Sequence, residues 1–417
     1  MATVGVRRRK RSRGDSLGLE APTASVPPLY HGGTGDALAG SLRAANPLER
    51  VSNFSPGPTS LPSTVMRSIS EEFLSWNQCG LSVLELSHRS PEFLEIKRDA
   101  EMTLREVMEI PEGFTIIWAH GGGHGQFAAI PLNLCGEKSA RADYVVTGAW
   151  SERAAQEASK FCQVDRVQPK PGTDPSDWEF SSEPPAYTYI CSNETIDGFE
   201  FRAEDFPHRL GVPLVVDMSS DICSKVLDWS RIGVAFACAP KNIGHPGLTV
   251  VIARNDLLER KSQRETCPGI LDWKNFIESD GMWNTVATFN VYTTAKVLQF
   301  IQDEGGLPEM ERRSIEKSSI LYDVIESSGG LYSTPWKISR HRSRMNVCFE
   351  VKEEDPHSSR NTEAFLTGAH QLNIIGLKTK TPFPTGNKLR ASLYTSVSIS
   401  DVQKLASYMK DFQKISQ

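Results

Sequence analysis

The sequence lacks any apolar run approaching the roughly 20 residues that a membrane-spanning helix needs, so it contains no candidate span. It also lacks a large excess of charge of either sign. The formal net charge of the 417 residues is −5, which offers no general argument for binding nucleic acid. Charged residues make up 23% of the chain and hydrophobic residues 39%, which is ordinary for a soluble globular protein. A chain of this length can form two domains around a large core.

Paired cysteine spacings are absent as well. The eight cysteines include no C-x-x-C motif, and several lie inside apolar runs. Such cysteines are typical of free thiols buried in a protein from a reducing compartment. We therefore expect a cytoplasmic protein with no metal site.

Residues 1–50 have neither helical nor strand periodicity, which predicts a disordered extension. The extension contains a basic cluster, R-R-R-K-R-S-R, at residues 7–13. The cluster is compatible with a nuclear address, a nucleic-acid patch or part of an organelle presequence, although it lacks the amphipathic spacing of a clear transit peptide. A solvated tail without a dedicated function is equally compatible, so organellar targeting stays open.

Two apolar stretches carry the residues most suggestive of chemistry. Residues 212–217 (V-P-L-V-V-D) end in Asp217, and residues 233–241 (G-V-A-F-A-C-A-P-K) end in Lys241, before a loop broken by glycine and proline. Both stretches are typical of buried strands, whose ends are natural places for chemistry. In enzymes that use pyridoxal phosphate, a lysine binds the cofactor and a carboxylate faces its ring nitrogen. The alternatives are a solvated loop lysine for Lys241 and a helix cap or turn for Asp217.

A glycine-rich turn upstream is typical of a phosphate cradle. Residues 115–120 are expected to form a buried strand, and the motif G-G-G-H-G-Q at residues 121–126 leads from it into an apolar segment. Glycines allow close approach of the backbone, and amides at a helix N-terminus favour an anion. Taken alone, such a turn can equally be a tight connection. Residues 143–150 are expected to form a further strand that ends at Trp150, with Ser151 capping the next helix.

Several motifs occur together in one order. They are N-E-T at residues 193–195, D-M-S-S at 217–220, S-R-I-G-V-A-F-A-C-A-P-K-N-I-G at 230–244 and R-A-S-L-Y at 390–394. From about residue 53 to the C-terminus, the chain resembles the phosphoserine aminotransferase family, whose members are class V, fold-type I enzymes that use pyridoxal phosphate. The resemblance implies an α/β fold with a mostly parallel sheet flanked by helices in a large domain, residues 51–303. A small C-terminal α+β domain would follow at residues 304–417.

The resemblance also implies the active site. Lys241 would bind pyridoxal phosphate covalently and move the proton, Asp217 would face the ring nitrogen, and Trp150 would stack on the ring. The remaining cofactor-binding residues would be Gly123, His124, Thr195, Asn284 and Thr285, and the substrate-binding residues would be His88, Arg89 and Arg390. Asn284, Thr285 and Arg89 would serve the neighbouring subunit, which implies a homodimer with shared active sites. The substrates implied are small amino and oxo acids.

Three departures from the family's motifs lie near the expected substrate site. His124 stands where the family normally has arginine, Pro240 where it has glutamine, and Leu377 with Lys378 where it has a His-Arg pair. We expect transamination between glutamate or 2-oxoglutarate and 3-phosphohydroxypyruvate or O-phosphoserine, in serine biosynthesis. The alternative is a divergent class V aminotransferase for a different, non-phosphorylated amino or oxo acid in a specialised pathway.

Two rival interpretations use the same fold. Another class V reaction, such as that of a decarboxylase, lyase or desulfurase, would share the core chemistry, although no cysteine loop of the desulfurase kind is evident. A non-catalytic regulator that binds nucleic acid through its basic tail would have no use for Lys241, Asp217, Thr195 and Trp150 together.

Overall fold

The computed structural model describes residues 50–170, 172–258, 265–354, 358–379 and 388–416. The extension expected at residues 1–50 therefore lies outside the described residues, except for Arg50. No helix in these ranges is long and apolar enough to cross a membrane. All eight cysteines are free thiols, as predicted. Five of them are buried, but Cys79 is exposed, so the expectation of burial is wrong for that residue.

The strands of the described ranges are β1 (Ser52–Asn53), β2 (Phe114–Ala119), β3 (Arg141–Val145), β4 (Gln163–Val167), β5 (Thr188–Cys191), β6 (Asn193–Glu194), β7 (Phe199–Glu200), β8 (Leu214–Asp217), β9 (Ile232–Cys238), β10 (Thr249–Arg254), β11 (Tyr332–Ser333), β12 (Asn346–Val351), β13 (Ile374–Ile375) and β14 (Lys388–Ser392).

The α-helices of the same ranges are α1 (Ser63–Glu72), α2 (Pro91–Met108), α3 (Gly122–Leu134), α4 (Ala149–Ala158), α5 (Asn255–Leu258), α6 (Trp273–Ile277), α7 (Thr288–Asp303), α8 (Gly306–Glu326), α9 (Arg360–Gln371) and α10 (Ile399–Ser416).

Seven strands form the central sheet, in the order β2-β10-β9-β8-β5-β3-β4. The pairs β4-β3, β3-β5, β5-β8 and β8-β9 are parallel, whereas β10 runs antiparallel to both β9 and β2. Successive residues of a strand point to opposite faces, and Val216 packs with α2 and α7 while Val215 packs with α3 and α4. Burial on both faces explains the continuous apolar runs of these strands. The predicted α/β fold with a mostly parallel sheet flanked by helices is confirmed.

A second, three-stranded antiparallel sheet has the order β11-β12-β14. Its apolar side chains pack with those of α8, α9 and α10 in a separate cluster that includes Phe349, Phe365 and Leu405. The short β1 pairs with β13, which ties the segment after Arg50 to this α+β region. The domain boundary expected after residue 303 coincides with the end of α7. The division into a large and a small domain stays a prediction.

The strand expected over residues 143–150 is shorter than predicted, because β3 ends at Val145 and Trp150 is the second residue of α4. The predicted cap is also wrong in detail: Gly148 is the N-cap and Ser151 is the third helical residue. The Ser151 hydroxyl accepts the N–H groups of Thr147 and Gly148 at 3.0 and 3.1 Å. These bonds start the helix before Trp150 rather than after it.

A buried cluster of charges links β7 to the segment that precedes β12 of the small sheet. The carboxylate of Glu200, at the end of β7, lies 2.9 Å from Lys225 Nζ and 3.0 Å from the Arg202 guanidinium. The backbone N–H of Arg344, just before β12, donates to the other oxygen of Glu200 at 2.6 Å. Burial raises the pKa of Glu200, but the positive charges of Lys225, Arg202 and Arg344 outweigh burial and lower the pKa to about 2. Glu200 is therefore ionised and fully compensated.

Replacing Glu200 with glutamine should reduce the free energy of unfolding at neutral pH by about 3 kcal/mol, because the buried carboxylate that faces Lys225, Arg202 and Arg344 loses its charge. The pKa of Glu200 is depressed in the folded state, so the stabilisation is present above the ordinary pKa of 4.5 and is lost as the pH falls towards 2. Denaturant unfolding from pH 7 to pH 3 should show the gap between wild type and Glu200→Gln closing.

Glu309→Gln is the matched control, since the Glu309 carboxylate pairs with Arg312 and Arg313 on the surface of α8. Solvent-accessible ion pairs contribute little, so this variant should unfold like the wild type at each pH. If Glu200→Gln lowers the free energy of unfolding by the same amount at pH 7 and at pH 3, the depressed pKa of Glu200 is contradicted.

Candidate active site

The carboxyl ends of β5, β8 and β9 lie side by side, because these three strands are parallel neighbours. Asp217 is the last residue of β8, and Lys241 follows the end of β9 by three residues. Ligands of open α/β sheets bind outside this edge of the strands. The structure therefore brings the two residues to one edge of the sheet, as their positions after apolar runs suggest.

Lys241 is half-buried and is surrounded by residues of several elements. Its Nζ donates to Thr195 Oγ1 at 3.1 Å and lies 5.4 Å from the centre of the Trp150 ring. Gly57, at a φ of +131°, passes so close that an added Cβ would lie 3.2 Å from Lys241 Cγ. Only glycine combines this backbone conformation with this approach. Gly57 therefore lies against the stem of Lys241, whose Nζ lies near Thr195 and Trp150.

The Asp217 carboxylate is buried, with 4% of the residue exposed. The backbone N–H of Ser219 donates to its Oδ1 at 2.9 Å, and the hydroxyl of Tyr189 donates to its Oδ2 at 3.2 Å. Burial raises the pKa of Asp217, while the charge of Lys241 and these hydrogen bonds act in the opposite direction. For Lys241, burial lowers the pKa, but Tyr394 and Asp217 more than offset burial and raise the pKa above its ordinary value. The two groups attract each other across the space between them.

The glycine-rich turn opens α3 at the same edge. Its N-cap is Gly121, at a φ of +88°, which provides no side-chain cap for the first-turn N–H groups. Uncapped amides and the positive end of the helix favour an anion, here beside Gly123. His124 is exposed on this first turn, and its ring centre lies 5.9 Å from that of Trp150.

Glu194 is a functional candidate that the sequence reasoning did not single out. Its fully buried carboxylate accepts the N–H groups of Trp150 and Ser151 at 2.9 and 2.8 Å, and the Ser151 hydroxyl at 2.5 Å. Glu194 thereby anchors the start of α4, the helix that carries Trp150. Burial raises the pKa of Glu194 to about 7. The only signal in the sequence is its place between Asn193 and Thr195 in the N-E-T motif.

Arg390 reaches the site from the small sheet. Only 7% of the residue is exposed, and its Nη1 donates to the backbone oxygen of Thr195 at 2.8 Å. Its Nε is buried without a hydrogen-bond partner among the described residues. The indole nitrogen of Trp150 is in the same situation. Buried donors left unpaired are costly, so these two groups suit a bound ligand.

The other predicted site residues lie elsewhere on the chain. His88, Arg89 and Asn284 line a surface depression together with Trp283, and Thr285 is exposed beside them. None of the hydrogen bonds described for Lys241, Asp217 or Arg390 involves these residues. The structure of one chain therefore separates the predicted residues into two groups.

A model of the family "Aminotransferase class-V" matches residues 51–405. The chain belongs to the class V aminotransferases. Among its relatives, a probable phosphoserine aminotransferase of Caenorhabditis elegans is 41% identical over 370 residues, which cover 88% of this chain and 98% of the relative. The phosphoserine aminotransferase of Paraburkholderia phytofirmans is 40% identical over 377 residues, which cover 88% and 99%.

Solved structures of class V aminotransferases share the fold. The phosphoserine aminotransferase of Bacillus circulans subsp. alkalophilus superposes with a TM-score of 0.81 at 31% identity, covering 88% of this chain and 99% of that one. The pyridoxal-phosphate-bound phosphoserine aminotransferase of Trichomonas vaginalis gives a TM-score of 0.78 at 33% identity, covering 87% and 100%. The protein is a pyridoxal-phosphate-dependent aminotransferase.

The residues present at the sheet edge fit this cofactor. An amine, a buried carboxylate and an indole ring converge there, and the uncapped amides of α3 suit a phosphate group. The unpaired nitrogen of Arg390 provides a further donor for an anionic ligand.

The close approach of Gly57 to Lys241 can be tested with Gly57→Ala. The new side chain meets both a positive φ and the lysine stem, so amino transfer should slow about tenfold as Lys241 is displaced. Gly211→Ala is the matched control, because Gly211 also has a positive φ, +75°, but nothing lies within 4 Å of its Cβ position. Both variants should lose roughly 1 kcal/mol of stability through backbone strain, but Gly211→Ala should keep the wild-type rate. If Gly57→Ala and Gly211→Ala lose rate equally in steady-state assays, backbone strain rather than displacement of Lys241 slows the reaction.

Proposed function

We propose that the protein catalyses transamination between glutamate or 2-oxoglutarate and 3-phosphohydroxypyruvate or O-phosphoserine, a step of serine biosynthesis. The observation that carries this proposal is the match over 88% of the chain, at about 40% identity, to proteins named phosphoserine aminotransferase. The convergence of Lys241, Asp217 and Arg390 at one sheet edge supports it. The departures at His124, Leu377 and Lys378 concern the substrate's distal group, and Pro240 lacks a side-chain donor for the cofactor phosphate, but all four leave Lys241, Asp217 and Arg390 in place.

Pyridoxal phosphate, when bound, supplies a carbonyl that reacts with amines and a ring that accepts electrons. In the proposed mechanism Lys241 would hold the cofactor through this carbonyl, and its amine would take the proton from the substrate α-carbon. Asp217 keeps a proton on the ring nitrogen. Arg390 binds the substrate α-carboxylate and so directs the bond to be broken towards Lys241.

The remaining residues position these groups. Trp150 would stack on the cofactor ring, and Thr195 would donate to its phenolic oxygen. Gly123, His124 and the first-turn amides of α3 would hold the phosphate. In this proposal residues 51–303 form the domain that binds the cofactor, and residues 304–417 form the domain that provides Arg390.

We also propose a homodimer with shared active sites. Half of the fourteen large apolar side chains that are exposed among the described residues lie between residues 66 and 102, on α1, α2 and the segment joining them. This apolar surface, residues 66–102, suits a second copy of the chain. His88 and Arg89 belong to it, and Asn284 lines the same depression. These residues and Thr285 would complete the partner subunit's site. The eight free cysteines support a cytoplasmic location.

The substrate can be tested by comparing O-phosphoserine with serine and alanine as amino donors to 2-oxoglutarate. Each charge-assisted hydrogen bond to the phosphate contributes about 1.5–3 kcal/mol, so kcat/KM for O-phosphoserine should exceed that for serine at least a hundredfold. Equal efficiencies would favour the alternative, an aminotransferase for a non-phosphorylated substrate. Lys241→Ala should abolish turnover with every donor, whereas Lys160→Ala, at an exposed lysine, should leave turnover unchanged.

The dimer can be tested with Leu84→Lys. Leu84 is 57% exposed on the apolar surface of residues 66–102, and a charge there would have to be buried between two subunits. Light scattering should show the variant as a monomer with reduced activity. Leu210→Lys is the control, because Leu210 is 95% exposed but lies outside that surface. A dimeric Leu84→Lys variant, or a monomeric wild type, would refute the proposed assembly.

A further inference from the structure

Three tyrosines are fully buried near Asp217: Tyr144 on β3, Tyr189 on β5, and Tyr187, which directly precedes β5. Tyr144 stacks on Tyr189 with ring centres 4.7 Å apart and planes 22° apart. Tyr144 and Tyr187 share a hydrogen bond of 2.7 Å between their hydroxyl groups. The hydroxyl of Tyr189 instead donates to Asp217 Oδ2, at 3.2 Å. Of the three buried tyrosines, Tyr189 is therefore the one that contacts a predicted catalytic residue.

The Tyr189 ring is held by its neighbours. Besides the stack on Tyr144, it meets the Phe127 ring edge-on, with centres 6.5 Å apart and an angle of 82°. Phe127 belongs to α3, the helix that begins at the glycine-rich turn. A ring packed on two sides cannot swing its hydroxyl away without disturbing the core. The donor is therefore aimed at Asp217 by packing alone.

The Asp217 carboxylate is oriented from both sides. The Ser219 N–H donates to Oδ1 at 2.9 Å, and the Tyr189 hydroxyl donates to Oδ2. Each oxygen thus accepts a donor whose position is fixed by the fold. We propose that Tyr189 is a positioning residue, which holds the Asp217 carboxylate ionised and oriented for the ring nitrogen of pyridoxal phosphate. The inference rests on the proposed role of Asp217.

Tyr189 keeps its proton at neutral pH. Burial, and then the negative charge of Asp217, raise the pKa of Tyr189 well above its ordinary value. The hydroxyl therefore stays a donor and does not titrate in competition with Asp217. A hydrogen bond to the charged form of a carboxyl group favours ionisation, which counters the effect of burial on Asp217.

The other titratable groups that face Asp217 come from two strands and one loop. Cys191 lies on β5 and Cys238 on β9, and Asp217 raises the pKa of each thiol in addition to the larger effect of burial. Lys241 favours the ionised carboxylate, but only while its amine carries a proton. The donor from Tyr189 does not depend on the state of Lys241, so it continues to act when the lysine is neutral.

The test uses the full-length protein freed of cofactor. Pyridoxal phosphate affinity is measured from pH 4 to pH 8 by the change in cofactor absorbance, for the wild type, Tyr189→Phe and Tyr187→Phe. Removing the Tyr189 hydroxyl raises the pKa of Asp217, so the acid-side midpoint of binding should move up by about one pH unit. At a pH on that limb the affinity should fall about tenfold. Tyr187→Phe removes an equally buried hydroxyl that does not touch Asp217, so its midpoint should match the wild type.

A second substitution guards against misfolding of Tyr189→Phe. Incorporating 3-fluorotyrosine at position 189 keeps the ring shape but makes the hydroxyl a stronger donor, so the midpoint should move in the opposite direction, to lower pH. The proposal is overturned if neither change at position 189 moves the midpoint, or if Tyr187→Phe moves it as far as Tyr189→Phe does. A wild-type protein that binds no pyridoxal phosphate at any pH would instead refute the proposed function.

Discussion

The site depends on one electrostatic constraint: the Asp217 carboxylate and the Lys241 ammonium group are held at the same edge of the sheet and face a common space. Parallel pairing of β8 with β9 fixes their separation, because Asp217 ends one strand and Lys241 follows the other. Each group alters the other's protonation, since the charge of Lys241 opposes the effect of burial on Asp217 and the reverse also holds. A ligand that places a cationic ring nitrogen at Asp217 and a carbonyl at Lys241 satisfies both charges at once.

The buried polar groups around this edge form one connected support. The Ser192 hydroxyl donates to Asp221 at 2.6 Å and lies 3.1 Å from the backbone oxygen of Asp217. Asp221 in turn lies 2.9 Å from Lys225 Nζ, which also pairs with Glu200. The charge cluster around Glu200 is thus connected, through Lys225, Asp221 and Ser192, to the end of the strand that carries Asp217. Connected networks of buried hydrogen bonds and ion pairs rigidify a site.

The sequence predicts those features that depend on residues close together in the chain. The apolar runs before Asp217 and Lys241 predict two buried strands, and their order places both residues at one edge of a parallel sheet. Trp150 was misplaced in a strand, since one acceptor that stabilises the start of its helix is Glu194, which is 44 residues away. Nothing in the sequence around Tyr189 marks its contact with Asp217, 28 residues later. Contacts between distant segments leave no periodic pattern, so neither Glu194 nor Tyr189 could be found from spacing alone.

His124, Leu377 and Lys378 replace basic residues of the family's motifs, but the cations Lys388, Arg390 and Arg153 remain near Asp197. Leu377 is 1% exposed and belongs to the core of the small sheet, and Lys378 pairs with Leu389 on the neighbouring strand. Burial raises the pKa of Asp197, next to the N-E-T motif, but three cations, Lys388, Arg390 and Arg153, act against that rise. Arg153 also lies over the Trp150 ring, at 4.7 Å from its centre. With three cations around one carboxylate, the local field attracts a dianionic substrate, so a changed phosphate motif is compatible with an unchanged preference for a phosphorylated one.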